Sequence, residues 1–272
     1  MEFARVKGAT TTIIKEWWAR LQVPEVAQIK PENTYNADEG GLQEGKTGNG
    51  LVLGLAEARP LQRKEPGTRT WTSFIECVSA TGVTLPPLII FKGKSVQEQW
   101  FPEDLGPFGG WEFTATDNGW TTDSTGVEWL QKVFFPGTQP PIPALRLLIL
   151  DGHGSYVTKE FMFLCLQNDV YLLYLPAHTS HVLQPLDLSV FSPLKHAYRQ
   201  KLGSQALFTC STMVGKRQFL TAYAYARTKA FTPYIIASGW RATGLWPRNP
   251  LKPLMNRLLL ENSNRNGWRS AI

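Results

Sequence analysis

Apolar residues recur along this chain with two different periods. Ile13, Ile14, Trp17, Trp18 and Leu21 fall three and four apart behind a threonine run, which predicts one amphipathic helix over residues 10–22. Beyond it the pattern changes to short apolar runs bounded by Gly, Pro, Asn and Asp. Residues 34–37 read as a strand that Asp38 ends, and a glycine-rich loop from Gly40 to Gly50 separates it from a short run at 51–53. Two β-rich runs follow, 71–78 and 83–91, with Ala80-Thr81-Gly82 between them as the turn of a hairpin. Pro86-Pro87 cannot donate to a ladder, so the second run is expected at an edge or a bulge.

The second half alternates more regularly. Residues 95–123 are rich in tryptophan and turn dipeptides, and Asp123 or Ser124 is expected to cap a helix over 125–135. The run 145–150 is a core strand. Thr158 caps a helix with Phe161, Phe163, Leu164 and Leu166 as its apolar face, a strand covers 170–175, and a helix covers 188–202. A β-meander followed by alternating helices and strands is an α/β plan, a mixed sheet flanked by helices with its antiparallel part first. Helices over 216–230 and 233–240 form a helical C-terminal extension. The expected divisions are 1–30 (N-terminal helix and linker), 31–205 (the α/β domain), 206–260 (the extension) and 261–272 (a polar, disordered tail).

Composition narrows this picture modestly. The 272 residues, 43% hydrophobic and 18% charged, can bury a sizeable core. A net charge of +6 suits a polyanionic partner such as nucleic acid, although a charge of that size is common. No apolar stretch reaches the ~18 residues of a membrane span, and the first residues lack the apolar core of a signal peptide. No membrane partner is expected. Cys77, Cys165 and Cys210 are odd in number and unpatterned, which suits reduced thiols in an intracellular setting.

Three aspartates stand at or just past apolar runs: Asp38, Asp151 after Leu147-Leu148-Ile149-Leu150, and Asp187 in Gln184-Pro185-Leu186-Asp187. Burying an unpaired carboxylate costs several kcal/mol or more. Convergence of the three is reasonable where a divalent cation neutralises them, which points to phosphoryl chemistry. Each also has a plainer reading. Asp151 suits a cap or turn before Gly152, Asp38 suits a turn before Gly40-Gly41, and Asp187 suits the N-cap of a helix from Leu188.

Around these aspartates the sequence resembles the DDE superfamily endonucleases, in the pogo-like branch of the mariner-type transposases. The resemblance rests on 32–41 (ENTYNADEGG), 85–94 (LPPLIIFKGK), 118–122 (NGWTT), 148–155 (LILDGHGS), 175–187 (LPAHTSHVLQPLD), 191–195 (FSPLK) and 239–247 (GWRATGLWP), which occur in the family's order. It implies an RNase H-like, retroviral-integrase-like fold in which Asp38, Asp151 and Asp187 are the catalytic and metal-binding triad. It further implies two Mg²⁺ or Mn²⁺ ions, no small-molecule cofactor, DNA as partner (transposon ends or target DNA), a homodimer on DNA and a nuclear location. Members usually have Thr where Gly40 stands and His where Tyr156 stands. They also carry helix-turn-helix modules ahead of the catalytic domain, so residues 1–30 are expected to be the remnant of an upstream region.

Other residues are weaker candidates. Glu39, His153, His178 and His181 are expected to orient a carboxylate or touch a phosphate. His178 and His181 with Asp151 could instead hold zinc, but the prolines at 176 and 185 bracket a loop rather than a zinc-binding helix. Lys92, Lys94 and Arg69, with Arg63 and Lys64, could meet DNA phosphates, and Trp71 or Trp100 could stack on unpaired bases. Two further functions stay open at this level: a nucleic-acid-binding protein that has lost catalysis, and a metal-dependent RNase.

Overall fold

The computed structural model describes residues 9–44, 70–152, 154–206 and 215–256. The expected strand at 51–53, the basic stretch 59–69 with Arg63, Lys64 and Arg69, His153, Cys210 and the tail from 261 lie outside them.

Helix α1 (Thr11–Arg20) follows the predicted pattern. Thr10 caps it by accepting from the Ile13 amide, and Ile14, Trp17 and Trp18 are its buried side. Six strands form one sheet among the described residues: β1 (Thr34–Gln43), β2 (Trp71–Ser79), β3 (Leu88–Lys92), β4 (Glu112–Thr116), β5 (Arg146–Leu150) and β6 (Val170–Tyr174), in the order β4-β3-β2-β1-β5-β6. β2 is antiparallel to β1 and β3, while β4 is parallel to β3, and β5 to both β1 and β6. A β1–β2–β3 meander continued by parallel β5 and β6 on the far side of β1 is the RNase H-like arrangement, here with β4 added outside β3. The expected α/β class and mixed sheet are both found.

Core packs on both faces of the sheet, so β3, β5 and β6 read as nearly unbroken apolar runs. Side chains alternate across the pleat. Phe74, Val78, Ile89, Phe91, Leu147 and Ile149 share one core with α1, α4 (Phe191–Ala206), α5 (Lys216–Ala230) and α6 (Pro233–Thr243). Ala37, Ile75, Cys77, Leu88, Ile90, Leu148 and Leu150 form the other, against α2 (Asp123–Trp129) and α3 (Lys159–Gln167). Burial raises the thiol pKa of Cys165 to about 12 and pushes that of Cys77 well up, with Glu76 adding to it. Both cysteines are packed, unreactive thiols.

Several local expectations are corrected. β1 does not stop at Asp38 but runs on to Gln43, because β2 pairs with it from Tyr35↔Ser79 to Gln43↔Trp71. Gly40 and Gly41 lie inside that ladder. β3 is not an edge, since β4 covers it. The bulge is what the prolines mark: the second run already pairs with β2 at Val78↔Thr84, and between that bridge and Ile75↔Leu88 it carries one residue more than β2 does, at Pro86-Pro87. Thr122, not Asp123 or Ser124, caps α2 through a capping box with Thr125, and α2 continues as a π-helical stretch, Leu130–Phe134. On α3 the buried pair is Phe161 and Cys165, one turn apart, while Phe163 and Leu166 are exposed.

The glycine at position 40 has a packing reason. A Cβ there would fall 2.3 Å from Phe74 Cε2, and the Phe74 ring is held between Phe191 and Tyr223, with centroids at 5.9 and 4.8 Å. Gly40→Thr is therefore expected to cost about 1–3 kcal/mol, the usual penalty of overpacking, read from urea midpoints. Adding Phe74→Leu should recover part of the loss. An unchanged midpoint for Gly40→Thr would contradict the packing argument.

Candidate active site

Every strand except β2 runs in the same direction, so the C-terminal ends of β1, β3, β4, β5 and β6 share one end of the sheet. Ligands in open α/β sheets favour that end. Asn36 pairs with Ile149 at the last rung between β1 and β5, and two residues further on stand Asp38 and Asp151. Asp187 arrives from the segment after β6, in the π-helical turn Leu186–Val190 that leads into α4. It lies inside that turn rather than at the helix cap, which is Pro185.

The three carboxylates differ in exposure: Asp38 is 7% exposed, Asp151 intermediate and Asp187 exposed. The Asp38 carboxyl is pushed well above the ordinary carboxylate range. Burial is the largest cause, followed by the negative charges of Asp187 and Asp151. Hydrogen bonds from Gln184 and from the Glu39 amide, at 2.9 Å, pull the other way. Among the described residues, none of the groups acting on Asp38 is cationic. This electrostatic load, carried entirely by oxygen donors, fits a hard divalent cation such as Mg²⁺ or Mn²⁺. Among the described residues no three His, Cys, Asp or Glu side chains form a ready coordination group.

The other predicted residues separate. Glu39 alternates onto the opposite sheet face. There the Tyr156 phenol, fully buried, is raised well above its ordinary pKa by burial first and then by Glu39, Asp38 and Asp151. His178 is exposed with a positive φ of 65°. His181 is half-buried in the short turn Ser180–Leu183; burial lowers its pKa, a backbone hydrogen bond to His178 opposes this, and its buried Nε2 has no partner among the described residues. The zinc reading of these two histidines gains no third ligand among the described residues.

Lys92 and Lys94 are exposed at the end of β3. Continuing the ladders places Lys92 level with Gln43, roughly 20 Å from Asp38 by strand geometry. Trp71 and Trp120 stack there, centroids 6.0 Å apart, and both are exposed. Trp100 is instead a packed ring, with Lys216 Nζ 3.3 Å over its centroid. Arg248 is structural, donating to the Leu21 and Val26 carbonyls, and Arg241 is exposed on α6.

Sequence reasoning missed two buried polar groups beside the aspartates. Asn36 and Gln184 are hydrogen-bonded to each other at 2.9 Å. Glu76, directly across the ladder from Asp38, is fully buried and takes a forked pair of bonds from Arg227 (2.7 and 3.0 Å) and one from the Tyr223 hydroxyl at 2.7 Å. Burial alone would lower the Arg227 pKa, but Glu76 holds it above its ordinary value. The one signal available was a polar residue inside an apolar run, at Asn36 and at Glu76.

Comparison with known proteins adds the following. Residues 68–240 match the model of the DDE superfamily endonucleases. The chain is 36% identical over 238 residues to the MFS-type transporter clz9 of Cochliobolus lunatus, covering 86% of this chain and 25% of that protein. It is 27% identical over 151 residues to the mouse (Mus musculus) pogo transposable element with KRAB domain, covering 55% and 24%. The chain thus spans about a quarter of the length of these relatives. No helix among the described residues is long and apolar enough to cross a membrane. Among solved structures, the Mos1 mariner paired end complex with Mn aligns at 9% identity and a TM-score of 0.49, over 96% of this chain and 63% of that one.

Proposed function

The chain belongs to the DDE superfamily endonucleases, and from that premise we propose that it is a metal-dependent DNA endonuclease and strand-transferase domain of transposase type. One observation carries the reading: a buried aspartate inside β1, just past the last rung of its ladder with β5, is loaded by the charges of two others brought from distant segments. Asp38, Asp151 and Asp187 would hold two Mg²⁺ or Mn²⁺ ions. When bound, such a pair lowers the pKa of an attacking water or 3′-hydroxyl and stabilises the leaving oxygen. Asp38 provides the fixed, buried carboxylate, and the more exposed Asp151 and Asp187 face the solvent from which DNA arrives. Tyr156, kept protonated by burial, keeps its phenol neutral beside the acidic cluster. Lys92 and Lys94 meet phosphates along the same sheet end, and the exposed Trp71–Trp120 stack offers a flat surface for a base. The substrate is DNA in the nucleus, engaged by a homodimer.

The test is Mg²⁺ and Mn²⁺ calorimetry together with nicking of supercoiled plasmid, on wild type and on Asp151→Asn. Heat of binding and nicking in the wild type, both lost in the variant, are expected. A folded wild type that binds neither ion and leaves the plasmid intact would sink the enzymatic reading and favour a protein that only binds nucleic acid. Cleavage of RNA in preference to DNA would sink the substrate.

A further inference from the structure

Asn36 and Gln184 are both fully buried, and neither belongs to the acidic set. Asn36 Nδ2 donates to the Ile149 carbonyl at 3.0 Å and to Gln184 Oε1 at 2.9 Å, while Asn36 Oδ1 accepts from the Leu186 amide at 3.2 Å. Gln184 Nε2 donates to the Ala37 carbonyl at 3.3 Å, and the Gln184 side chain also hydrogen-bonds Asp38.

The positions of these partners give the pair its meaning. Ala37 adjoins Asp38, Ile149 lies two residues before Asp151, and Leu186 adjoins Asp187. β1 and β5 are already tied by their ladder up to Asn36↔Ile149, but among the described residues no ladder reaches the segment that carries Asp187. Leu183 and Leu186 bury that segment against the core. Apolar contact is non-directional. Hydrogen bonds add direction. Two buried primary amides are costly to desolvate, so an apolar pair would pack here at less risk. What the amides add is a fixed relation among three backbone segments.

We propose that Asn36 and Gln184 are positioning residues: their amides set the mutual placement of Asp38, Asp151 and Asp187, and thereby how tightly the three hold a divalent cation. This rests on the metal-site reading given above. It predicts that loosening the pair weakens metal binding more than it slows the reaction once metal is saturating.

The experiment uses the full chain with Gln184→Met, which keeps the side-chain length and removes the hydrogen bonds. Mn²⁺ alone is titrated by calorimetry, nicking is followed against Mn²⁺ concentration, and thermal unfolding establishes that the variant is folded. The Mn²⁺ dissociation constant is expected to rise about tenfold or more, the usual effect of losing a group that orients metal ligands. The nicking curve should shift to higher Mn²⁺ by the same factor while its plateau stays close to wild type. Asn36→Ser is the second variant and should shift the curve in the same direction if Gln184→Met does not fold. A folded variant with wild-type Mn²⁺ affinity overturns the positioning role, as does lost nicking on an unshifted metal curve. Failure of both variants to fold overturns it too, making the pair a requirement of folding. A folded wild type that takes up no Mn²⁺ fails the metal-site reading itself, a result distinct from wild-type binding that the variants leave unchanged.

Discussion

Asp38→Asn is expected to abolish divalent-dependent nicking, by about a thousandfold or more, and yet to stabilise the metal-free protein. The first half follows from removing a charged oxygen donor from a site that holds ions by charge. The second follows from linkage. The Asp38 carboxyl is raised above its unfolded value by burial and by Asp187 and Asp151. Native protein therefore holds that proton more tightly than unfolded chain does. The contribution favours folding below the unfolded pKa of about 3.9 and is lost as pH rises through the folded value, so at neutral pH the acid weighs against the fold relative to an uncharged side chain. An amide carries no such charge, and relief of about 1–2 kcal/mol is typical where a site trades stability for function. Thermal unfolding in chelator should show the variant's advantage widening from pH 5 to pH 8. Added Mn²⁺ should then raise the wild-type midpoint and leave the variant's unchanged, because only the state that binds the ion is stabilised. A variant less stable than wild type in chelator at neutral pH would contradict this account.

Arg227→Ala is expected to produce the largest loss of stability. It strands Glu76, fully buried on β2, with only the Tyr223 hydroxyl left as side-chain partner among the described residues. Breaking one side of a buried ion pair costs about 3–5 kcal/mol, because the remaining charge stays in low dielectric. At this chain length that corresponds to a fall in Tm of about 10 °C. The same pair fastens α5 to the middle of the sheet, directly opposite Asp38, so the site should loosen with the fold. The double variant Glu76→Gln with Arg227→Met removes both charges and should recover most of the loss. A single-variant cost below about 1 kcal/mol in urea unfolding would show that the ion pair is not what holds α5 to the sheet.

Periodicity alone made much of the architecture legible. The 3.6-residue rhythm around Ile14, Trp17 and Trp18 gave α1, and the uninterrupted run before Asp151 gave β5, because these signals come from neighbours in sequence that share one face. The alternation of strands and helices was enough for the α/β class. Asp151 stood out locally, as a charge closing an apolar strand. Elsewhere the same local logic misled. Gly40 and Gly41 read as a loop because glycine usually marks one, yet here they make room for Phe74 and Trp71 on the paired strand. Phe163 and Leu166 read as core, and the packing of α3 turned them outward.

What only the tertiary structure decided is which distant residues share a site. Asn36 and Gln184 are 148 positions apart, and Glu76 and Arg227 are 151 apart. Each looks like an ordinary polar residue in its own neighbourhood. Their partners are chosen by strand order and by the docking of α4 and α5. Local pattern records which way a side chain faces, whereas a buried polar group is tolerable only when a specific partner reaches it, and that partner is supplied by the chain's long-range path.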